Sequence, residues 1–119
     1  MITVVILGDP IPAARPRFSG NRAYQTQRNR DYRLEVQTAA RLAMKSQAPM
    51  TGALSAVVKL YRRYKPTTRI YGDVDNHLKA IFDGLNQIVF GDDAQIVSCL
   101  VEKYQDKASP RAEITIRQA

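Results

Sequence analysis

The spacing of apolar residues predicts a strand and then a helix in the first part of the chain. The β-branched run from Ile2 to Leu7 is short and uninterrupted, which is typical of a strand buried on both faces. From about Asn29 to Ser46, apolar residues recur at i, i+4, i+7, i+8 and i+11, as on a helix with one buried stripe. Three prolines between these segments exclude a helix there.

The second part of the chain repeats both patterns. Apolar and polar residues alternate from Ala53 to Lys65, as in a strand, and an amphipathic helix follows from about Asp75 to Phe90, with Gly91 as its C-terminal cap. Two further strands, at 94–103 and 111–117, are expected to form a hairpin. The sequence therefore predicts an α+β fold of order β-α-β-α-β-β. We expect a small mixed sheet with two helices, in a single domain spanning residues 1–119.

Charge is unevenly distributed along the chain. Residues 1–71 contain 13 Lys and Arg and 3 Asp and Glu, whereas residues 72–119 contain 5 and 8. The overall net charge of +7 therefore combines a basic first part with an acidic second part. A basic surface of this kind indicates a polyanionic partner such as nucleic acid.

The cations of the basic part are concentrated in two segments. The proline-containing stretch at 10–30 is interpreted as an exposed basic arm, with Phe18 between its arginines. The segment from Tyr61 to Lys65 alternates aromatic and basic residues, which suits phosphate contacts with base stacking, or equally a solvated strand end whose tyrosines pack on arginine stems. The residues expected to follow a DNA backbone are Arg15, Arg17, Arg22, Arg28, Arg62, Arg63, Lys65 and Arg69.

Other features restrict the chemistry and the location. Cys99 is the single cysteine, so neither an internal disulfide nor a cysteine-based zinc cluster is expected, and its apolar strand suggests a core position. His77 is interpreted as a surface residue. The N-terminus has no basic n-region, and no apolar run approaches the roughly 20 residues that span a bilayer. We therefore expect a cytoplasmic protein with no membrane partner.

Acidic residues flank the second predicted helix at both ends. Asp73 and Asp75 lie at its start, where one could be an N-cap and the other could be favoured by the helix dipole. Asp92 and Asp93 follow its far end, where the dipole disfavours negative charge. From the residues alone, both a capped acidic helix and a cation-binding site remain open.

A cation site places conditions on the fold. A helix of about 16 residues is about 24 Å long, so its two acidic ends meet only if the chain returns along the helix or a second subunit contributes. Carboxylates with substrate phosphate oxygens suit Mg²⁺, which assists phosphodiester hydrolysis. Lys79 lies one turn after Asp75 and could stabilise developing negative charge, or could form an ion pair with Asp75 or Asp83.

Two motifs carry a family resemblance. The segment "GDVDNHLKAIFDGLN" at 72–86, followed by "GDDAQIV" at 91–97, resembles the RusA family of Holliday junction resolvases, small endonucleases common in phages and prophages. Weaker similarity extends over the whole chain. The early segment "PIPAARPRF" also resembles the start of the phage members.

The resemblance assigns roles to the acidic residues. It implies metal binding by Asp73, Asp75 and Asp93, with Asp92 as a further candidate ligand and Lys79 as the catalytic lysine. The implied cofactor is Mg²⁺, with Mn²⁺ able to replace it and no small-molecule cofactor. The family also implies an intertwined homodimer with two acidic sites, located in the cytoplasm of a bacterium or a phage-infected host.

The function expected from this resemblance is Mg²⁺-dependent resolution of four-way DNA junctions by paired symmetric nicks, in recombination and repair. Tyr71 and Phe18 are candidates for opening the junction. Two alternatives remain open. One is a nuclease for flaps or other branched DNA that uses the same metal site, and the other is a DNA-binding protein without catalysis.

Overall fold

The computed structural model describes residues 1–14 and 26–119, together with the backbone of two short strands at 17–19 and 22–24. These residues form six strands and two α-helices: β1 (Ile2–Leu7), β2 (Arg17–Ser19), β3 (Arg22–Tyr24), α1 (Gln27–Met44), β4 (Leu54–Arg62), α2 (Val74–Leu85), β5 (Ile96–Gln105) and β6 (Arg111–Gln118). None of the described helices is long and apolar enough to cross a membrane.

Four of the strands form one mixed sheet in the order β1-β6-β4-β5. β6 is antiparallel to both β1 and β4, whereas β5 is parallel to β4. Alternate residues of β4 are buried and form a core with apolar residues of β1, β6, α1 and α2. The α+β class and the order of these four strands and two helices are confirmed. In addition, β2 and β3 pair with each other within the predicted basic arm.

Two predictions about the strands are wrong. β5 and β6 do not form a hairpin, because β4 lies between them and the connection after β5 crosses the end of β4, where the Asp106 N–H donates to the Arg62 carbonyl at 2.8 Å. β1 is not buried on both faces. It is an edge strand in which Val4 and Ile6 are buried while Leu7 is exposed.

β5 occupies the other edge of the sheet, and its side chains are poorly covered. Val97 is 65% exposed and Leu100 is 55% exposed. Cys99 is also exposed, so the prediction of a core cysteine is wrong. The apolar composition of β5 suggested burial, but the helices leave this edge strand open among the described residues.

Helix α2 ends at Leu85, five residues before the predicted end. Asn86 is its C-cap, and Gln87 has a φ of 67°, which breaks the helical path. The Gln87 N–H donates to the Phe90 carbonyl at 2.6 Å, which closes a tight turn. Val89 and Phe90 are fully buried in this turn, so their apolar character serves the core and does not extend the helix.

The two helices approach each other closely at Gly84. A Cβ atom added there would lie 2.5 Å from Cγ1 of Val36 and 3.4 Å from the carbonyl oxygen of Arg33, both on α1. Any side chain larger than hydrogen would therefore force the helices apart. Val36 belongs to the predicted buried stripe of α1, together with Tyr32 and Ala40, and this stripe is confirmed.

Arg62 is buried, contrary to the prediction that it contacts DNA. Its side chain is 3% exposed. Its Nε and Nη2 donate to the two carboxylate oxygens of Asp9 at 3.2 and 3.1 Å, and its Nη1 donates to the carbonyls of Ile70 and Tyr71 at 3.2 and 2.6 Å. All three guanidinium nitrogens therefore bind groups within the protein. Arg62 joins the end of β1 and the end of β4 to the segment that precedes α2.

Replacing Arg62 with Met is expected to lower the free energy of unfolding by about 3 kcal/mol, because the partly buried carboxylate of Asp9 would lose both of its strong hydrogen bonds. The matched variant Arg63→Met removes a cation that is 61% exposed and 3.8 Å from Asp9, and we expect a change under about 0.5 kcal/mol. Urea denaturation measures both values. Equal losses in the two variants would contradict the role given to Arg62.

Candidate active site

At the start of α2, a glycine and a proline are in close contact. Gly72 has a φ of 94°, and a Cβ atom there would lie 2.8 Å from Cγ of Pro12. The proline-containing segment is also bonded to this region, because the Ala13 N–H donates to the Asn76 carbonyl at 2.9 Å. Pro12 and Ala13 of the early motif therefore pack against the segment that carries the first aspartates.

Asp73 occupies the N-cap position of α2, but its side chain makes no capping hydrogen bond. Its carbonyl accepts the His77 N–H at 3.1 Å, as the helix backbone requires. Both Asp73 and Asp75 are exposed. Side-chain capping therefore does not account for the carboxylate of Asp73, and both carboxylates remain accessible to a ligand.

His77 is buried, so the surface assignment from the sequence is wrong. It is 1% exposed, and its Nε2 lies 2.7 Å from the carbonyl oxygen of Tyr71, which also accepts from Arg62. Burial lowers the pKa of His77 to about 4, so the imidazole is neutral and Nε2–H donates to this carbonyl. Its sequence neighbours, Asn76 and Leu78, gave no sign of this inward orientation.

Tyr71 is likewise interior. It is fully buried, and its hydroxyl lies 2.8 Å from the carbonyl oxygens of Leu60 and Tyr104. It is therefore not exposed for opening a junction, contrary to its interpretation from the sequence. The other candidate for that role, Phe18, has a side chain outside the described residues. Tyr71 instead holds the start of α2 against the sheet.

Lys79 and Asp83 form an ion pair on the accessible face of α2, with 3.6 Å between Nζ and Oδ2. Asp75 lies one turn before Lys79, so these three residues occupy one face of the helix at intervals of four. Lys79 is 63% exposed, whereas Asp83 is 29% exposed. The pairing with Asp83 was one of the interpretations left open by the sequence, and it leaves the ammonium accessible.

The turn that carries Asp92 and Asp93 is fixed by Gln95. Its Oε1 accepts the N–H groups of Gly91 and Asp92 at 2.9 and 3.1 Å, and its Nε2 donates to the carbonyls of Met50 and Gly52 at 3.1 and 3.0 Å. One amide side chain therefore joins the acidic turn to the segment before β4. Residue spacing gave no sign of this role, although Gln95 lies within the "DDAQ" motif.

The acidic turn lies within electrostatic range of residues on α2. Burial, together with the nearby carboxylates of Asp92 and Asp83, raises the pKa of Asp93, and Lys79 acts in the opposite direction. These influences require proximity, so the chain has turned back after Leu85. The separation expected from the sequence between the two acidic ends of this helix is therefore smaller, because α2 has 12 residues and not about 16.

The carboxylates at this site suit a hydrated divalent cation. No group of three or more His, Cys, Asp or Glu side chains within residues 1–14 and 26–119 is arranged to hold a metal ion by itself. Mg²⁺ keeps several waters and needs only one or two carboxylates when phosphate oxygens complete its shell. Burial raises the pKa of Asp93 most, and the nearby carboxylates of Asp92 and Asp83 add to it; a bound cation would relieve that repulsion. The donor set therefore fits such an ion in chemical character.

The structure describes the side chains of some of the predicted DNA-contacting cations but not of others. Arg28, Arg63, Lys65 and Arg69 are exposed. Arg15 and the side chains of Arg17 and Arg22 lie outside the described residues.

The tyrosines near these cations pack within the protein. Tyr61 stacks on Tyr104 with 5.1 Å between ring centroids, and the Arg111 guanidinium lies 3.9 Å from the Tyr61 ring centroid. The guanidinium of Arg62 lies 5.0 Å from the ring centroid of Tyr64. Of the two interpretations of the segment from Tyr61 to Lys65, packing of tyrosines against arginines is therefore observed.

Two comparisons with known proteins match nearly the whole chain. The chain is 28% identical over 139 aligned residues to the uncharacterized protein YqaN of Bacillus subtilis (strain 168), with 98% of this chain and 96% of that protein covered. The family described as Endodeoxyribonuclease RusA matches residues 8–117, which includes the start of α2, Lys79 and the acidic turn. The nucleases of this family generally depend on divalent metal ions. The chain therefore belongs to the RusA endodeoxyribonuclease family.

Proposed function

We propose that this protein is a Mg²⁺-dependent endonuclease that resolves four-way DNA junctions by paired symmetric nicks. The observation that carries the proposal is the accessible ion pair of Lys79 and Asp83, on the helix face that follows Asp75, in a RusA-family chain. An accessible ammonium next to clustered carboxylates suits a cleaved phosphate that contacts both a cation and the protein.

Asp73, Asp75 and Asp93 would hold the metal, with Asp92 as a further ligand. Bound there, a divalent ion supplies Lewis-acid stabilisation of phosphate oxygens and a water of lowered pKa. The ammonium of Lys79, oriented by Asp83, lies where it can stabilise negative charge that develops on the phosphate. Gln95 and His77 contribute indirectly, because each fixes the position of a segment that carries proposed ligands.

Exposed cations supply the remaining affinity for DNA. Arg28, Arg63, Lys65 and Arg69 are proposed to contact phosphates, together with the arginines of the basic arm. Such contacts are independent of sequence, and the affinity they supply falls as salt rises. Arg62 is excluded from this set by its burial. Selectivity for junctions would then depend on the spacing of two active sites and not on base contacts.

We also propose that the protein acts as a homodimer joined through the β5 surface, defined here as Val97, Cys99, Leu100 and Tyr104. These residues are exposed on an edge strand, which leaves backbone hydrogen-bonding groups available for pairing. β5 begins directly after the acidic turn, so a partner bound there would lie next to Asp93. A second copy could thus contribute ligands to a site that lacks three grouped carboxylates within the described chain.

The catalytic proposal is tested with labelled four-way, three-way, flap and duplex DNA in the presence of Mg²⁺. Wild-type protein is expected to make paired symmetric nicks on the four-way junction alone. Asp93→Asn is expected to reduce the cleavage rate by on the order of a hundredfold or more while junction binding persists, because the variant loses a metal ligand and keeps its cations. The matched control Glu35→Gln changes an exposed carboxylate on α1 and should cleave at the wild-type rate.

Two results would contradict this proposal in different ways. Similar cleavage of flaps and four-way junctions would favour the branched-DNA nuclease. Tight junction binding without cleavage in Mg²⁺ or Mn²⁺ would favour the non-catalytic DNA-binding protein.

The dimer proposal is tested by light scattering during gel filtration. Wild-type protein is expected at twice its chain mass of 13.4 kDa, and Leu100→Glu is expected to shift it to the monomer because a charge would be buried at the interface. Leu42→Glu is the matched control, since Leu42 is 74% exposed on α1 and away from β5. Dissociation by Leu42→Glu alone, or a monomeric wild type, would exclude this surface.

A further inference from the structure

Lys79 and Asp83 lie in a cleft that also contains an arginine from the other helix. The cleft is bounded by three segments: residues 13–14, α1 and α2. The residues that line it are Ala13, Ala14, Asn29, Arg33, Lys79, Ala80 and Asp83. Arg33 is exposed and was not among the cations singled out from the sequence.

The position of Arg33 follows from the packing of the two helices. The carbonyl of Arg33 and the side chain of Val36 form the surface against which Gly84 packs. Gly84 directly follows Asp83, so the close helix contact brings Arg33 to the face of α2 that carries Asp83 and Lys79. On α1, the same cleft is fixed by Asn29, whose side chain bonds to the Pro12 carbonyl and the Ala14 N–H, each at 3.1 Å.

Arg33 contributes positive charge to this cleft. Asp83, the carboxylate that lines the cleft, pairs with Lys79. No ion pair or side-chain hydrogen bond joins the guanidinium of Arg33 to another residue within 1–14 and 26–119. The cleft therefore presents an uncommitted planar donor group beside an ammonium, which suits an anion with several acceptor oxygens.

We propose that Arg33 binds the same DNA phosphate as Lys79 and stabilises it during cleavage. This assignment rests on the proposed function and adds a phosphate-binding residue to it. The guanidinium would donate to non-bridging oxygens of the phosphate, beside the ammonium of Lys79 in the same cleft. Two cations from different helices would then converge on one phosphate, which fixes its orientation better than either alone.

Single-turnover cleavage of a four-way junction at saturating protein tests this role. Arg33→Ala is expected to lower the rate by on the order of a hundredfold, with a smaller loss in junction affinity, because stabilisation is greatest when charge develops. Arg33→Lys should recover part of the rate, since it keeps the charge but not the planar donor pair. Arg41→Ala is the matched control: this arginine is exposed on the same helix but does not line the cleft, and its rate should equal that of wild type.

A second readout does not depend on cleavage. Junction binding in the absence of divalent metal is measured at several salt concentrations. Arg33→Ala should reduce the slope of log K against log salt by about 0.9, the value for one lost phosphate contact, whereas Arg41→Ala should leave it unchanged.

The outcomes separate this assignment from the proposed function. If wild-type protein cuts junctions and Arg33→Ala cuts them equally fast, the assignment is wrong while the proposed function stands. If wild-type protein cuts no junction, the proposed function fails, and the salt slope alone decides whether Arg33 contacts phosphate. Equal slopes for Arg33→Ala and wild type would overturn that contact.

Discussion

The carbonyl oxygen of Tyr71 accepts hydrogen bonds from two buried side chains, Arg62 and His77, and the start of α2 depends on this contact. Arg62 is itself held by both carboxylate oxygens of Asp9, at the end of the first strand. The interaction therefore connects β1, β4 and α2 through one guanidinium. Because Gly72 and Asp73 follow directly, the position of the first acidic residues is set by groups that are inaccessible to substrate. Buried polar groups of this kind lower the stability of the fold when a hydrogen-bond partner is lost. The geometry of the site therefore depends on an intact core.

The parts of the fold that were predicted are those set by local periodicity. The stripe of Tyr32, Val36 and Ala40 identified α1 because a buried helix face leaves a repeating signal in the sequence. The end of α2 was misplaced because Val89 and Phe90 are apolar in either conformation, and only their packing shows that they belong to a turn. The place of β5 at the edge of the sheet was likewise not predictable, since strand order depends on contacts between distant segments.

In the candidate site, too, features set by local sequence were predicted and features set by tertiary contacts were not. The resemblance identified aspartates and a lysine by their spacing, but it gave no sign that Asp83 and Asp93 would be neighbours. That proximity depends on the reversal of the chain after Leu85, which is a tertiary feature. Arg62 was misassigned because an arginine in a basic segment is usually solvated, and its burial is made tolerable by Asp9, 53 positions away in sequence.

The fold also brings together charges that are separate in the sequence. The basic part of the chain supplies α1, and the acidic part supplies α2 and the turn at Asp92. Their contact at Gly84 places Arg33 in the cleft of Lys79 and Asp83. Basic and acidic side chains therefore line one cleft, where under the proposed function a phosphate would contact both.

In the proposed function, the carboxylates of α2 and of the acidic turn serve one metal ion. This assignment is tested by soaking a crystal with Mn²⁺ and measuring anomalous scattering. We expect a manganese peak bound by Asp93 together with Asp75 or Asp73, from the same chain or from a second copy. A peak that excludes Asp93, or none at a Mn²⁺ concentration that supports cleavage, would contradict it.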